Sequence, residues 1–305
     1  MHGLILVDKP RGGTSHDIVA RVRRILGQQR VGHFGTLDPL ATGLLLVAVG
    51  SATRLFPWFS RHDKVYGGEM RLGWATETYD SQGRPVSEES PDLPDRTELI
   101  EAMKRFVGRI EQMPPPYSAK KVGGQPLYKW ARSKRPVSPR SCRVIVHSFD
   151  LIDYAPPLAG FNAHCGAGTY VRSLVHDLGQ TLGCGAHLAG LRRLAVGTYG
   201  VDKAFPVEEI ERLAGEGSFE RFLVPLEVLL PEYPKAIISE EGCRHLQKGR
   251  PLPDESVLEV IPAIPGKASA EEPSQACRLF SPEGRLLALA KPVEGGKGFL
   301  PLLVL

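Results

Sequence analysis

One carboxylate, Asp38, lies in the turn-rich segment VGHFGTLDPLATG, directly before the apolar run LLLVAVG. Pro39 biases the residue before it toward extended backbone geometry. An aspartate has an ordinary pKa of about 3.9, so at neutral pH it is an anion that can act as a nucleophile or a base. It can also close an Asx-turn by accepting hydrogen bonds from nearby backbone N–H groups. These residues alone favour the turn and leave the catalytic interpretation open.

A metal centre is the next chemistry to consider. The five cysteines are scattered, without a CxxC pair, which argues against a disulfide framework or a cysteine zinc ribbon. The nearest approach to a ligand cluster is His164 and Cys165 with Cys184 and His187. Small buried thiols explain such cysteines better than zinc does. We therefore expect no metal.

The distribution of charge indicates the class of partner. The chain has 305 residues and a net charge of +4, which is only a weak sign of a polyanionic ligand. Its cations nevertheless fall into three clusters, with aromatic residues between them. Each cluster alone can be a solvated face, but the three together favour nucleic acid. Their members are Arg21, Arg23, Arg24 and Arg30; Lys120, Lys121, Lys129, Arg132, Lys134 and Arg135; and Arg192 and Arg193.

Several elements that must position these residues are predicted by hydrophobic periodicity. GLILVDKP and LLLVAVG are typical of buried strands, KVYGGEMRLGWAT of a strand, and SCRVIVHSFDLIDY with GFNAHCGAG of a strand pair. TSHDIVARVRRILG predicts a helix with Thr14 or Ser15 as its cap and Gly27 at its end. RTELIEAMKRFVGRI and TYVRSLVHDLGQTLG predict two more helices.

Two regions depart from a compact core. Residues 112–139, rich in Pro, Gly and cations, predict an inserted arm, since a long polar excursion within a domain is usually functional or disordered. A boundary is expected near residue 232, followed by a small β-rich domain with a hairpin turn at SPEG and a flexible loop at 266–276. No apolar run approaches the roughly 20 residues that span a bilayer. Nor does the N-terminus look like a signal peptide, so we expect a cytoplasmic protein.

A resemblance now joins these observations. GHFGTLDPLATGLLLVAVG resembles the signature of the TruB family, the bacterial tRNA pseudouridine synthases that modify the T-loop uridine. Four further motifs are similar and follow in family order: DKPRGGTSHD, KVYGGEMRLGWATETYDSQG, PPPYSAKKVGGQPLYKWAR and HCGAGTYVRSLVHDLGQTLGCGAHLAGLRRLAVG. The likeness runs over roughly residues 3–200. It implies an α+β pseudouridine synthase fold, a mostly antiparallel mixed sheet flanked by helices, over residues 1–231. Residues 232–305 loosely resemble a PUA-type RNA-binding domain.

The resemblance implies a catalytic set. Asp38 would be the essential carboxylate, acting either as a nucleophile or as a base on a glycal route. Arg172 would pair with it and keep it ionised. Tyr66 would stack on the target base and serve in the proton transfer from C5, and Leu191 would line the base pocket. The reaction needs no cofactor.

The resemblance also implies how RNA is held. The target uridine must be turned out of its loop, and His33 would fill the space that it leaves. The arm would grip phosphates. The residues assigned to substrate binding are His33, Leu191, Lys9, Gly32, Tyr170, Lys120, Lys129 and Arg132. The expected partner is the T-arm of tRNA, with no membrane, no obligatory protein partner and a monomeric state. The alternatives are a guide-RNA-dependent synthase and an RNA-binding or RNA-folding protein without catalysis.

Overall fold

The structure is a computed structural model that describes residues 1–118, 120–133, 137, 139–263, 276–293 and 298–305, without the side chain of Arg132. Most of the loop predicted at 266–276, and Lys134 and Arg135 of the second basic cluster, lie outside the described residues. The strands are β1 (Gly3–Lys9), β2 (Val31–His33), β3 (Thr42–Val49), β4 (Lys64–Leu72), β5 (Gly108–Gln112), β6 (Lys121–Val122), β7 (Gln125–Pro126), β8 (Cys142–Ala155), β9 (Leu158–Cys165), β10 (Ala186–Val196), β11 (Tyr199–Gly200), β12 (Leu223–Pro225), β13 (Lys235–Ile238), β14 (Val257–Ile261), β15 (Cys277–Phe280), β16 (Leu286–Pro292) and β17 (Phe299–Val304). The helices are α1 (Ser15–Leu26), α2 (Phe56–Phe59), α3 (Arg96–Lys104), α4 (Leu127–Arg132), α5 (Val171–Leu182), α6 (Val207–Gly215) and α7 (Glu240–Gln247).

A mixed sheet forms the larger part of the described fold. Its strand order is β12-β1-β3-β10-β4-β9-β8-β5, with β2 also paired to β3 and β11 to β10. The β3–β10 pair is parallel and the other pairs are antiparallel. Helices α3 and α5 pack on the β4–β9 part of the sheet, and α1 and α6 pack on β1 and β3. The predicted α+β class and mostly antiparallel mixed sheet are confirmed.

A second sheet follows, with strand order β14-β13-β15-β16-β17. It begins at Lys235, three residues after the predicted boundary. A shared core joins the two sheets, because Leu4 and Leu46 of the first sheet pack in one cluster with Phe280 and Leu289 of the second. The tail therefore packs against the N-terminal strands.

Local signals place most of these elements. Helix α1 begins after Thr14, whose side chain accepts from the Asp17 N–H in a capping box, and ends at Gly27 in the left-handed conformation. The predicted helix from residue 96 is too long: it ends at Lys104, and the GRI portion continues as β5. The physical reason is Gly108, at φ +102°, where the chain turns to pair with β8.

Candidate active site

Asp38 lies in the loop between β2 and β3, and its main chain is fixed from several sides. Its carbonyl accepts from the Ala41 N–H at 3.0 Å, which closes a turn, and the carbonyl of Pro39 accepts from the Gly12 N–H at 2.9 Å. The Ser15 hydroxyl donates to the Leu37 carbonyl and accepts from its N–H. The turn is thus held through main-chain bonds. The Asp38 carboxylate contacts Arg172 instead, so the Asx-turn interpretation does not describe its bonding.

A glycine lets the next strand approach its neighbour. Gly43, at the start of β3, has φ +94°, and a Cβ there would overlap the main-chain carbonyl oxygen of Arg193. This close approach aligns Gly43 with Arg193 in the parallel β3–β10 pair. It brings the segment around residue 192 beside the Asp38 loop, although about 150 residues separate the two in sequence.

Arg172, the second residue of α5, is 5% exposed, and each of its five side-chain N–H groups contacts an acceptor. Its Nε lies 2.9 Å from Oδ2 of Asp38, and Nη2 donates to Oδ1 of the same carboxylate at 3.1 Å. Nη1 donates to the Thr78 carbonyl at 3.1 Å and to Oδ2 of Asp80 at 3.4 Å, and Nη2 donates to the Tyr117 carbonyl at 3.0 Å. This planar fork fixes the orientation of the Asp38 carboxylate.

Asp80 is a residue that sequence reasoning missed. It is 3% exposed, and its Oδ1 accepts from the Thr78 hydroxyl at 2.6 Å and from the Gln82 N–H at 3.0 Å. The preceding Tyr79 has φ +66°, which aims the loop inward. The sequence signal was a carboxylate in YDSQG, but an aspartate in a turn does not reveal which distant cation it meets. Two carboxylates therefore share the Arg172 guanidinium.

The charge of Asp38 is set by opposing effects. Burial raises the pKa of Asp38 above its ordinary value and the nearby Asp80 carboxylate adds to that rise, whereas the Arg172 guanidinium opposes it. The side chain remains 37% exposed, so a ligand can reach the carboxylate from its solvent-exposed side. A carboxylate held in this way can attack an electrophilic carbon or take up a proton.

Tyr66 of β4 faces Arg193 across the β4–β10 pair. Burial raises the pKa of Tyr66, whereas the charge of Arg193 and its hydrogen bond to the hydroxyl oppose that rise, and the Asp38 carboxylate adds to it. Leu191 pairs with Gly68 two residues along, so it shares a face of the sheet with Tyr66. Leu191 is half-buried between two core clusters. An aromatic and an aliphatic wall thus lie together near Asp38.

Arg193 was interpreted as a surface cation, and that interpretation is wrong. It is 1% exposed and donates to the carbonyls of Leu44 at 2.7 Å, Gly35 at 3.0 Å and Thr36 at 3.4 Å. Adjacent residues on a strand face opposite ways, but the sequence did not predict this strand, so it did not show which of the two arginines is buried. Arg192 takes the outer side, where it pairs with Asp8 at 2.8–2.9 Å. Arg193 therefore supports both Tyr66 and the segment before Asp38.

The predicted substrate-binding residues of the N-terminal motifs differ in how far they are buried. His33 ends β2; burial lowers its pKa to about 4, so the ring is neutral, and its Nδ1 is buried without a partner among the described residues. Gly32 pairs with Ala48 in the same strand. Lys9 is fully buried and donates to the carbonyls of Ala41 at 2.8 Å and Pro10 at 3.0 Å. As placed here, Lys9 supports the Asp38 loop and has no surface for a ligand, in contrast to its predicted role.

The predicted arm has structure of its own. β6 and β7 form a hairpin, α4 follows it, and Leu127 is buried. Lys129 is exposed on α4 and Arg132 ends that helix. Lys120 contacts the Cys142 thiol. The Tyr170 backbone exchanges two hydrogen bonds with the Gln112 amide, at 2.7 and 3.1 Å, which ties the base of the arm to α5.

The metal set considered from sequence does not assemble. Cys165 and Cys184 are buried thiols, and His187 Nδ1 lies 3.1 Å from the Trp74 carbonyl. Among the described residues, one group of three side chains has ligand atoms within 4.8 Å of one another, and it consists of Asp63, His147 and His164. His164 is thus grouped with Asp63 and His147 and not with the Cys184 and His187 considered from the sequence. The described part of the chain contains no helix long and apolar enough to cross a membrane.

Known proteins are similar to this chain in sequence and in fold. Curated relatives named tRNA pseudouridine synthase B include one from Solibacter usitatus, 44% identical over 83% of this chain and 86% of the relative. Another, from Cupriavidus metallidurans, is 39% identical over 97% of this chain and 92% of the relative. A solved Cbf5–Nop10–Gar1 complex has a chain with the same fold, at TM-score 0.73 and 26% identity, covering 99% of this chain and 83% of that one.

Family comparison covers the residues of the site. Residues 23–171 match the N-terminal domain of the TruB family pseudouridylate synthases. Residues 172–231 match the tRNA pseudouridylate synthase B C-terminal domain, which here begins at Arg172. Both matches together contain the Asp38 loop, Tyr66 and Leu191, and with the relatives they establish that this chain belongs to the TruB family of pseudouridylate synthases.

Proposed function

We propose that Asp38 carries the reaction of this family, the isomerisation of uridine to pseudouridine in the T-loop of tRNA. The observation that carries the proposal is the bidentate contact between Arg172 and a carboxylate that remains partly exposed to solvent. The reaction breaks the bond between the ribose and N1 of the base and joins the ribose to C5. One proton leaves C5 and one is gained at N1. No group enters and no electrons are exchanged, so the side chains suffice.

Asp38 acts on the bound nucleotide as an anion. In a nucleophilic route the carboxylate bonds either to C1′ of the ribose as the C1′–N1 bond breaks or to C6 of the base as the C5–C6 double bond opens. In a glycal route it takes the proton from C2′ of the ribose as the C1′–N1 bond breaks. Both routes start from the ionised carboxylate. The Arg172 fork orients the carboxylate and opposes the rise in its pKa that burial and Asp80 cause.

The groups around Asp38 receive the base. Tyr66 stacks on the flipped base, and its hydroxyl serves in the proton transfer from C5. Leu191 supplies the apolar side of the pocket. Arg193 and Lys9 are positioning residues that hold the Asp38 loop through carbonyl contacts.

RNA binding is assigned to the rim and the arm. Neutral His33 occupies the space left by the flipped uridine. Lys120, Lys129 and Arg132 contact phosphates, while Gly32 and Tyr170 line the path to Asp38. Residues 1–231 form the catalytic domain and residues 232–305 a PUA-like RNA-binding domain. The enzyme acts in the cytoplasm as a monomer, without a protein partner.

The test is release of tritium from tRNA transcript labelled at uridine C5. The purified wild-type chain should release tritium from bare transcript, and Asp38→Asn should not. Asp150→Asn, an exposed aspartate of β8, is the matched control and should behave as wild type. Release by Asp38→Asn at the wild-type rate would remove Asp38 from the mechanism.

The same assay separates the two alternatives. An RNA-binding protein without catalysis would bind the transcript and release no tritium. A guide-RNA-dependent synthase would stay inactive until a guide RNA and partner proteins were added. The relatives at 39–44% identity are named tRNA pseudouridine synthase B, which supports activity on bare tRNA.

A further inference from the structure

A second cluster of ligating side chains lies away from Asp38. Asp63 precedes β4, His147 is in β8 and His164 is in β9. The His147 Nε2 lies 3.1 Å from Oδ2 of Asp63, and the His164 Nε2 lies 3.8 Å from the same oxygen. The two imidazole rings have centroids 4.5 Å apart. Two nitrogens and one oxygen from three chain segments thus converge.

The strand register explains the convergence. In the β8–β9 pair, Val146 is opposite Cys165 and Ser148 is opposite His164, so His147 lies in a bulge. Val146 and Cys165 face the buried core, and the side chains of His147 and His164 face the other way. Bulges commonly re-aim a side chain, and this one places the His147 ring beside that of His164.

The cluster is also on the opposite face from the catalytic tyrosine. Tyr66 pairs with Ala163, and both belong to the core under α5. The neighbouring pair, Val65 with His164, therefore has its side chains on the other side of the sheet. A ligand bound at His164 would therefore lie on the face of the sheet opposite to Tyr66.

The donor set suits a borderline transition-metal ion. Zn²⁺ takes imidazole nitrogens and carboxylate oxygens in tetrahedral geometry, with bonds of about 2.0–2.2 Å. Ligand atoms in such a shell are then about 3.3 Å apart. Two of the separations here bracket that value, at 3.1 and 3.8 Å, and all are within 4.8 Å.

We propose that Asp63, His147 and His164 form a Zn²⁺ site with two imidazole ligands, one carboxylate ligand and a fourth position open to water. Because its ligands come from β8, β9 and the segment before β4, the ion would clamp these three segments together. The site would stabilise the fold and take no part in the isomerisation.

Calorimetric titration of the chelator-treated full chain with ZnCl₂ tests the proposal. The wild type should bind Zn²⁺ at this site, and His164→Gln and Asp63→Asn should each weaken that binding by at least about tenfold, because loss of even an outer-shell partner costs 10–100-fold. His245→Gln, a histidine of α7 outside the cluster, is the matched control and should bind as wild type does. Co²⁺ should give visible tetrahedral absorption in the wild type and lose it in His164→Gln.

Thermal unfolding gives a second measurement. Zn²⁺ should raise the melting temperature of the wild type and leave that of His164→Gln unchanged. Retained tritium release would show that a variant is folded, and His147→Gln, an exposed position, replaces any variant that is not. No Zn²⁺ binding by the wild type, or equal binding by wild type and by folded His164→Gln and His147→Gln, would overturn the proposal.

Discussion

Replacing Arg172 by lysine separates the geometry of the Asp38 contact from its charge. Arg172 makes five contacts, two to Asp38, one to Asp80 and two to the carbonyls of Thr78 and Tyr117. A lysine ammonium has three donors on one nitrogen and no fork. At least two acceptors therefore lose their donor, although the positive charge remains.

The structure gives the size of the effect. A buried acceptor left without a partner costs about 1–3 kcal/mol, so two of them cost about 2–6 kcal/mol. Water reaches the Asp38 carboxylate, because 37% of its side chain is exposed, and this favours the lower end of that range of free energies. We expect Arg172→Lys to lower the free energy of unfolding by about 2–3 kcal/mol. We expect the rate to fall on the order of 100-fold, because a misplacement of ~1 Å costs that much.

Urea unfolding followed by circular dichroism measures the first quantity, and single-turnover tritium release measures the second. The matched control is Arg192→Lys, because Arg192 also makes a bidentate contact, to Asp8, but with 42% of its side chain exposed. Its cost should stay below about 1 kcal/mol. If Arg172→Lys unfolds like Arg192→Lys and keeps the wild-type rate, the fork is not what holds Asp38.

Three further outcomes are expected. Asp80→Asn removes a charge that raises the pKa of Asp38, so the acidic limb of the pH–rate profile should move to lower pH; an unchanged limb or one at higher pH contradicts this. Tyr66→Phe should bind tRNA as wild type does but lower the rate about 10²–10⁴-fold, as loss of a proton-transfer group does, and a wild-type rate in stopped-flow assays contradicts that role. Lys129→Ala should reduce the slope of tRNA affinity against salt concentration by the equivalent of about one phosphate contact. Lys203, which is exposed outside the arm, provides the control, and Lys203→Ala should leave that slope unchanged. Equal slopes for Lys129→Ala and wild type would show that Lys129 does not contact the RNA.

Local sequence patterns predicted much of the secondary structure. Thr14 and Gly27 mark the ends of α1, and the glycine at 183, in the left-handed conformation, ends α5 as expected. The SPEG turn joins β15 to β16. These predictions are confirmed because caps and turns depend on residues a few positions apart. Strand β10 was not predicted, since its half-buried residues and two arginines give no clean alternation.

Long-range contacts decided what the local patterns left open. Lys9 and Arg193 are charged residues, for which exposure is the ordinary expectation, yet both are buried on carbonyls of the loop around Asp38. Their burial depends on the supply of carbonyl acceptors by that loop. The residue types next to either position in the sequence do not reveal that these carbonyl acceptors are present.

The sequence by itself identified the family through its ordered motifs, and the family resemblance singled out Asp38 as the candidate carboxylate. Only the tertiary structure decided what surrounds that carboxylate. The parallel approach of β3 to β10 at Gly43 brings Arg193 under the loop, and α5 presents Arg172 to both Asp38 and Asp80. Contacts such as these join residues 92 to 158 positions apart. They arise from sheet register and helix packing, which a local pattern of residue types does not encode.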